Sequence, residues 1–166
     1  MKKIDDAFAD KKLKQLVFKF RTAIENAMEK GEFVSDFSFS HFPCGCCGDS
    51  AYMLAQYLLE NGIESVYVCG NRYFDELEEM AQSHAWLLVN ELIVDITGDQ
   101  FKDDSSYYNY SQRVYIGKED AFHKLFEVEE EDMHTCYGLE NYENIMCGAR
   151  LLNLYRKIKN FCDTSP

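Results

Sequence analysis

The sequence predicts a single mixed domain with a helix at each end, a shorter helix between them and an antiparallel hairpin behind that. Three observations carry this reading. Residues 4–30 repeat apolar side chains at three- and four-residue steps. Residues 47–61 do the same more compactly, and residues 84–96 read as two strands turning near Asn90-Glu91. A length of 166 residues suits one domain that buries a core without disulfide staples.

Each element follows from its own residues. Leu13, Leu16, Val17, Phe20, Ile24, Ala27 and Met28 share one face of the first helix, and Gly31 stops it. That helix is expected to pack on the core and to carry no chemistry. Phe33 to Phe42 alternates aromatic and small polar residues, as a short strand or an extended lead-in, until Pro43 and Gly45 break it. The second helix opens at Cys47 and carries Ala51, Leu54, Ala55, Leu58 and Leu59 as its stripe, ending at Asn61-Gly62. Ser65 to Cys69 reads as a strand, and Asn71 to Gln82 as an acidic, irregular surface excursion. Beyond Thr97 the signal weakens. The Tyr-rich stretch 102–113 reads as a loop, 114–116 as a short strand, and Glu127 to Asp132 as a solvated acidic run. Leu139 to Phe161 closes the chain as a helix, with Leu151, Leu152, Leu154, Tyr155 and Ile158 facing inward.

Composition narrows the function classes. Hydrophobic residues make up 46% and aromatics 14%, which fits a folded globule. A formal net charge of −12 repels phosphate backbones and anionic lipid heads, so neither nucleic acid nor a membrane is an expected partner. A cationic peptide or amine would be drawn toward such a surface. Met1-Lys2-Lys3 leads into Ile4-Asp5-Asp6 without the apolar region of a signal peptide, and no apolar run reaches membrane-spanning length. The seven cysteines are therefore expected as reduced thiols in a cytoplasmic protein.

Three residues stand out chemically: Cys47 at a helix start, His84 in the first hairpin strand and Asp95 in the second. A helix N-terminus carries unsatisfied N–H groups and a partial positive charge, which ease ionisation of a thiol. An imidazole that takes the thiol's proton turns it into a nucleophile, and a carboxylate holds that imidazole in the required tautomer. The hairpin makes the second contact a matter of register. With a two-residue turn at Asn90-Glu91, Val89 pairs with Leu92, Trp86 faces Asp95 and His84 faces Thr97. His84, Trp86 and Asp95 then point to one side, with His84 and Asp95 as diagonal neighbours. A three-residue turn would put them on opposite faces. Gly45 and Gly48 leave room for a substrate carbonyl, and the Cys47 N–H is a candidate oxyanion donor.

With these residues in view, the chain resembles the transglutaminase-like superfamily of papain-like cysteine enzymes. The resemblance runs over about residues 45–101. It consists of Gly45, Cys47, Asp49 and Ala51, then Leu58-Leu59-Glu60-Asn61-Gly62-Ile63, then His84-Ala85-Trp86, then Asp95-Ile96-Thr97. It implies an α+β fold of the papain/transglutaminase-like kind, with the nucleophile helix packed against an antiparallel sheet. It implies Cys47 as nucleophile, His84 as general base and acid, and Asp95 as orienting carboxylate. The activity implied is thiolate attack on an amide or ester carbonyl to give an acyl-enzyme. The substrate would be a peptide, a protein or a small amide or ester, and no cofactor or metal is implied. A Gly at position 48 stands where family members often carry an aromatic residue near the nucleophile. The alternatives are a catalytically inactive binding module of the same fold and an arylamine N-acetyltransferase-like enzyme, whose Arg-Gly-Gly lead-in this chain lacks.

Lesser readings complete the set. Trp86, Gln100 and Gly45 are candidate substrate contacts, with Trp86 also shielding the imidazole. His41, Cys44, Cys46 and Cys47 crowd four metal-ligand types into seven residues, but no second Cys-x-x-Cys knuckle completes a zinc site. A Cys44–Cys47 redox pair is sterically easier than one between adjacent cysteines. Asp49 reads as a structural first-turn carboxylate, and His123 and His134 as surface residues.

Overall fold

The computed structural model describes residues 2–74, 80–141 and 145–164, with side-chain surroundings for 10–74, 80–141 and 147–163. The fold is α+β. Helices α1 (Lys2–Glu29), α2 (Cys47–Glu60) and α3 (Ile145–Thr164) lie on one side of a five-stranded antiparallel sheet, α2 directly on it and α1 and α3 packed on each other and on α2. Its strands are β1 (Val66–Tyr73), β2 (Ala81–Val89), β3 (Leu92–Asp95), β4 (Tyr115–Gly117) and β5 (Met133–Thr135), in spatial order β4-β3-β2-β1-β5.

Two apolar cores lie on opposite sides of the sheet, as strand alternation requires. On the helical side, Leu87 and Val89 of β2 and Val94 of β3 meet Val17, Phe20 and Ile24 of α1, Leu54 and Leu58 of α2, and Leu151, Leu154 and Ile158 of α3. The other side holds Val68, Trp86, Ile93, Phe101, Tyr107, Phe122 and Phe126, an aromatic cluster closed by the chain that follows β3. α2 is central. Ser50, Ala51, Met53, Leu54, Ala55, Tyr57 and Leu58 are all buried, so it carries far more than the single stripe expected.

The hairpin register is the one the sequence predicts. Leu87 pairs with Val94, Leu88 with Ile93 and Val89 with Leu92. Asn90 and Glu91 both have positive φ (49° and 65°), the turn geometry that matches the twist of two strands joined by two residues.

Several boundaries differ from expectation. Phe33 to Phe42 forms no strand; it turns through a 3-10 segment, Phe39–His41, with Phe33, Phe39 and Phe42 buried in the helical core. β1 and β2 run on through Asn71–Tyr73 and Ala81–Gln82, because the two strands pair with each other there, Tyr73 opposite Ala81. The rest of the expected excursion, 75–79, lies outside the described residues. β5 is absent from the sequence reading, since three exposed residues give no alternation. The last helix starts at Ile145, preceded by a 3-10 turn at Leu139–Asn141. Met28 is 38% exposed and falls off the apolar face of α1. Among the described residues, no helix is long and apolar enough to cross a membrane.

Candidate active site

Cys47 is the first residue of α2, and Gly45, at φ 71°, turns the chain into it. The first turn of α2 is clamped from the side, where Arg150 of α3 pairs with Asp49 and Asp36, each at 2.7 Å. Asp49 thus turns its carboxylate toward α3. The Cys47 thiol is in hydrogen-bonding contact with the His84 ring and meets the backbone N–H groups of Ala85 and Gly48. Burial alone would push this thiol up. The hydrogen bond and charge of His84, with the two N–H groups, outweigh burial and hold it below its ordinary value.

His84 is wholly buried, and its Nε2 lies 2.8 Å from Asp95 Oδ2. This is the diagonal contact that the register predicts. Burial lowers the imidazole, but the charge and hydrogen bond of Asp95, followed by those of Cys47, overcome it and raise the ring to about 9. Asp95 is 1% exposed. Its desolvation is outweighed by His84 and His123, so the carboxyl stays well below the usual carboxylate range. Its other oxygen, Oδ1, accepts from Thr97 N at 2.8 Å and Thr97 Oγ1 at 3.3 Å. An unpaired carboxylate at such a place would cost several kcal/mol, and these contacts remove that penalty.

The other cysteines differ. Cys46, buried one residue earlier, is pushed up to about 12 by desolvation and points to Pro43 O at 3.5 Å. Burial also raises Cys69, and the neighbouring Cys47 adds to it. No disulfide joins any of the seven cysteines, and Cys44 is exposed. The His41–Cys47 stretch brings no three metal donors together among the described residues.

Of the candidate substrate contacts, Gln100 reaches the site. Its Nε2 stands 3.2 Å from His84 Nδ1 and donates to Thr97 O at 3.0 Å. Gly45 is exposed beside Cys47, with nothing within 4 Å of where a Cβ would stand. Trp86 is 4% exposed, its ring 5.7 Å from that of His84, and it walls the imidazole with Phe101, Phe122 and Phe126. A side chain so enclosed shields the ring and offers little surface to a ligand.

Two residues belong to this region against expectation. His123 is not a surface residue. Its side chain is fully buried, Nε2 is 3.3 Å from Asp95 Oδ2, and Nδ1 is 2.7 Å from Asp120 Oδ1. Its only sequence signal is the flanking pair Phe122 and Phe126, which marks an inward-facing segment. Arg21 of α1 is 3% exposed; it pairs with Asp99 at 2.8 Å and donates to the carbonyl of Ile96, beside Asp95. The first helix therefore fixes the end of β3, a role visible in sequence only as a cation between Phe20 and Ile24 on an apolar face. His134 is exposed as expected, bonded to Tyr52 Oη at 2.8 Å.

The donor atoms of His84, Asp95 and His123 lie within 4.8 Å of one another. Both Nε2 atoms share Asp95 Oδ2 as their hydrogen-bond partner. A cavity of about 600 Å³ runs beside α2, lined by Tyr52, Gln56, His134, Cys136, Tyr137 and Leu139 among others. It touches none of Cys47, His84 and Asp95. No protein-family model, curated protein or solved structure matches this chain.

Proposed function

We propose that this chain is a cysteine-dependent acyl-transfer enzyme with a papain/transglutaminase-like arrangement, Cys47 attacking an amide or ester carbonyl. The observation that carries the reading is the placement of one buried imidazole between two partners. Asp95 takes Nε2 at 2.8 Å, and the Cys47 thiol at a helix N-terminus contacts the same ring. His84 accepts the thiol proton and becomes an imidazolium beside a thiolate. The thiolate adds to the carbonyl carbon, forming a C–S bond as the carbonyl π pair moves to oxygen. The Cys47 N–H is placed at the helix start to donate to that oxygen. Gln100 Nε2 is freed for the same task once His84 Nδ1 is protonated and no longer accepts from it. Collapse of the adduct breaks the C–N or C–O bond, and His84 gives its proton to the leaving group. Water or an amine then attacks the thioester, His84 removes its proton, and the thiolate leaves.

p-Nitrophenyl acetate tests this directly. The expected result is a burst of one nitrophenolate per chain, with the acetyl group mapped by mass spectrometry to Cys47, lost in Cys47→Ser and strongly reduced in His84→Ala. Equal slow labelling of Cys44, Cys46 and Cys47 would sink the enzyme reading and leave a binding module.

A further inference from the structure

Asp95 does not serve His84 alone. Its Oδ2 faces Nε2 of two imidazoles, His84 at 2.8 Å and His123 at 3.3 Å. His123 sits in a 3-10 turn, His123–Leu125, in the segment after β4, with its ring packed against Trp86, Tyr115 and Phe122. Its Nδ1 meets Asp120 Oδ1 at 2.7 Å, and its backbone N–H donates to the same oxygen at 2.9 Å. Tyr110 Oη donates to Asp120 Oδ2 at 3.0 Å. An ionised carboxylate only accepts hydrogen bonds. Both ring nitrogens of His123 face one, so a doubly protonated ring satisfies both contacts, whereas a neutral ring leaves one nitrogen lone pair against an oxygen. The side chains form one continuous row of contacts: Cys47, His84, Asp95, His123, Asp120.

We propose that His123, held by Asp120, is a positioning residue for the acyl-transfer site: it fixes Asp95 toward His84 and shares its negative charge, so that His84 gives up its proton readily. The role rests on Cys47 being the nucleophile. When the tetrahedral adduct collapses, the electron pair of the breaking C–N or C–O bond goes to the leaving atom and the Nδ1 proton of His84 follows it. His84 is then neutral, the sulfur is tied up in the thioester, and Asp95 is a carboxylate in an aromatic core. A charged His123 keeps that carboxylate paired at this step. Without it, Asp95 would hold the proton on His84 more tightly and slow its delivery.

The groups facing this pair are few. His123 meets Asp95 from β3, Asp120 and Tyr110 from the loops, Tyr115 from β4 and His84 from β2. His84 meets Cys47 from α2, Asp95 and His123, with uncharged Gln100 beside it. The two imidazole centroids are 6.4 Å apart. At an effective dielectric of about 20, two unit charges at that distance couple by a factor of roughly 80 in an equilibrium constant. Even with half of that free energy screened, the effect is about nine-fold.

The test is the pH profile of Cys47 alkylation by iodoacetamide, read by peptide mapping in wild type, His123→Gln and Asp120→Asn, together with long-range ¹⁵N–¹H spectra of the histidine rings. We expect both His123 nitrogens to carry protons in the wild type at neutral pH. We expect the alkaline limb, where His84 loses its proton, to move to higher pH by at least about nine-fold in proton concentration in both variants. A merely structural role predicts the opposite direction, because a loosened Asp95 supports the His84 charge less. If His123→Gln fails to fold, Asp120→Asn carries the comparison. Fast wild-type alkylation with an unmoved or lowered limb, or a singly protonated His123 ring, would overturn the role of His123 alone. Slow wild-type alkylation would overturn the nucleophile and this role with it.

Discussion

Replacing Asp95 with Asn probes the central coupling of the site. The carboxylate is the largest influence raising His84, acting against burial, and together with Cys47 it lifts the ring from 6.5 to about 9. That is a factor of roughly 300 in the protonation equilibrium, or roughly 3 kcal/mol at ~1.36 kcal/mol per decade. An amide of nearly the same shape keeps the acceptor for Thr97 N, now 2.8 Å from Oδ1, but removes the charge. Cys47 alone then opposes burial, and His84 falls below its wild-type value. The ring then holds its charge less firmly, which weakens the counter-ion of the thiolate. Iodoacetamide alkylation of Cys47 at pH 6.5 should slow by at least about ten-fold. Cys46, pushed to about 12, is inert there, the exposed Cys44 and Cys147 are removed by Cys44→Ser and Cys147→Ser, and peptide mapping separates Cys47 from the rest. Circular dichroism verifies that the variant folds. A folded Asp95→Asn protein whose rate–pH profile overlays that of the wild type would refute the coupling of carboxylate, imidazole and thiol.

Three further outcomes follow from the same geometry. Glu91 holds φ 65° in the hairpin turn, so Glu91→Gly should relieve about 1 kcal/mol of left-handed strain and raise Tm by ~2–4 °C; an unchanged or lower Tm contradicts this. A Cβ at Gly98 would stand 2.7 Å from Tyr110 Cε1 and 2.9 Å from Asp95 Oδ2, so Gly98→Ala should destabilise by ~1–3 kcal/mol and slow Cys47 alkylation. Wild-type values for both would show that the turn yields freely. In a Cys47→Ala background, the raised His84 contributes stability that is full below 6.5 and is lost as pH rises toward its folded value. The lowered Asp95 contributes stability present above 3.8 and lost as pH falls below it. Urea midpoints should therefore peak between about 4 and 6.5 and decline on both sides; a profile flat from pH 4 to 9 would contradict the pairing.

Local chemistry explains which parts of this molecule are legible in its sequence. The hairpin is legible because a two-residue turn sets the register, and register alone decides whether His84 and Asp95 share a face. The start of α2 is legible because Gly45 and the stripe beginning at Ala51 bracket Cys47. The rest depends on contacts distant in sequence. Phe33, Phe39 and Phe42 resemble strand residues but fold as turns, because the helical core offers a pocket for each ring. His123 reaches Asp95 across 28 residues, and Arg21 reaches the Ile96 carbonyl across 75. No periodicity encodes either contact. Each residue instead violates its surroundings, a histidine among phenylalanines and an arginine on an apolar helix face. Such a violation inside a packed core requires a partner, and here both partners lie at the end of β3.

That convergence has a consequence for how the site works. The end of β3 is pinned from the helical side by Arg21, through Ile96 O and Asp99, and from the aromatic side by His84 and His123. Thr97 closes the remaining oxygen of Asp95, which leaves the carboxylate little freedom to turn. Burial strengthens each of these couplings, because charges in a medium of low dielectric interact more strongly than in water. Burial also seals this group of side chains. His84, Asp95 and His123 are at most 1% exposed, whereas Cys47 is only partly covered and stands beside the open Gly45. A ligand thus meets the sulfur first and the imidazole only past it. Half-buried Gln100, 3.2 Å from His84 Nδ1, borders the same imidazole and leaves Cys47 and Gln100 as its two neighbours nearest to solvent.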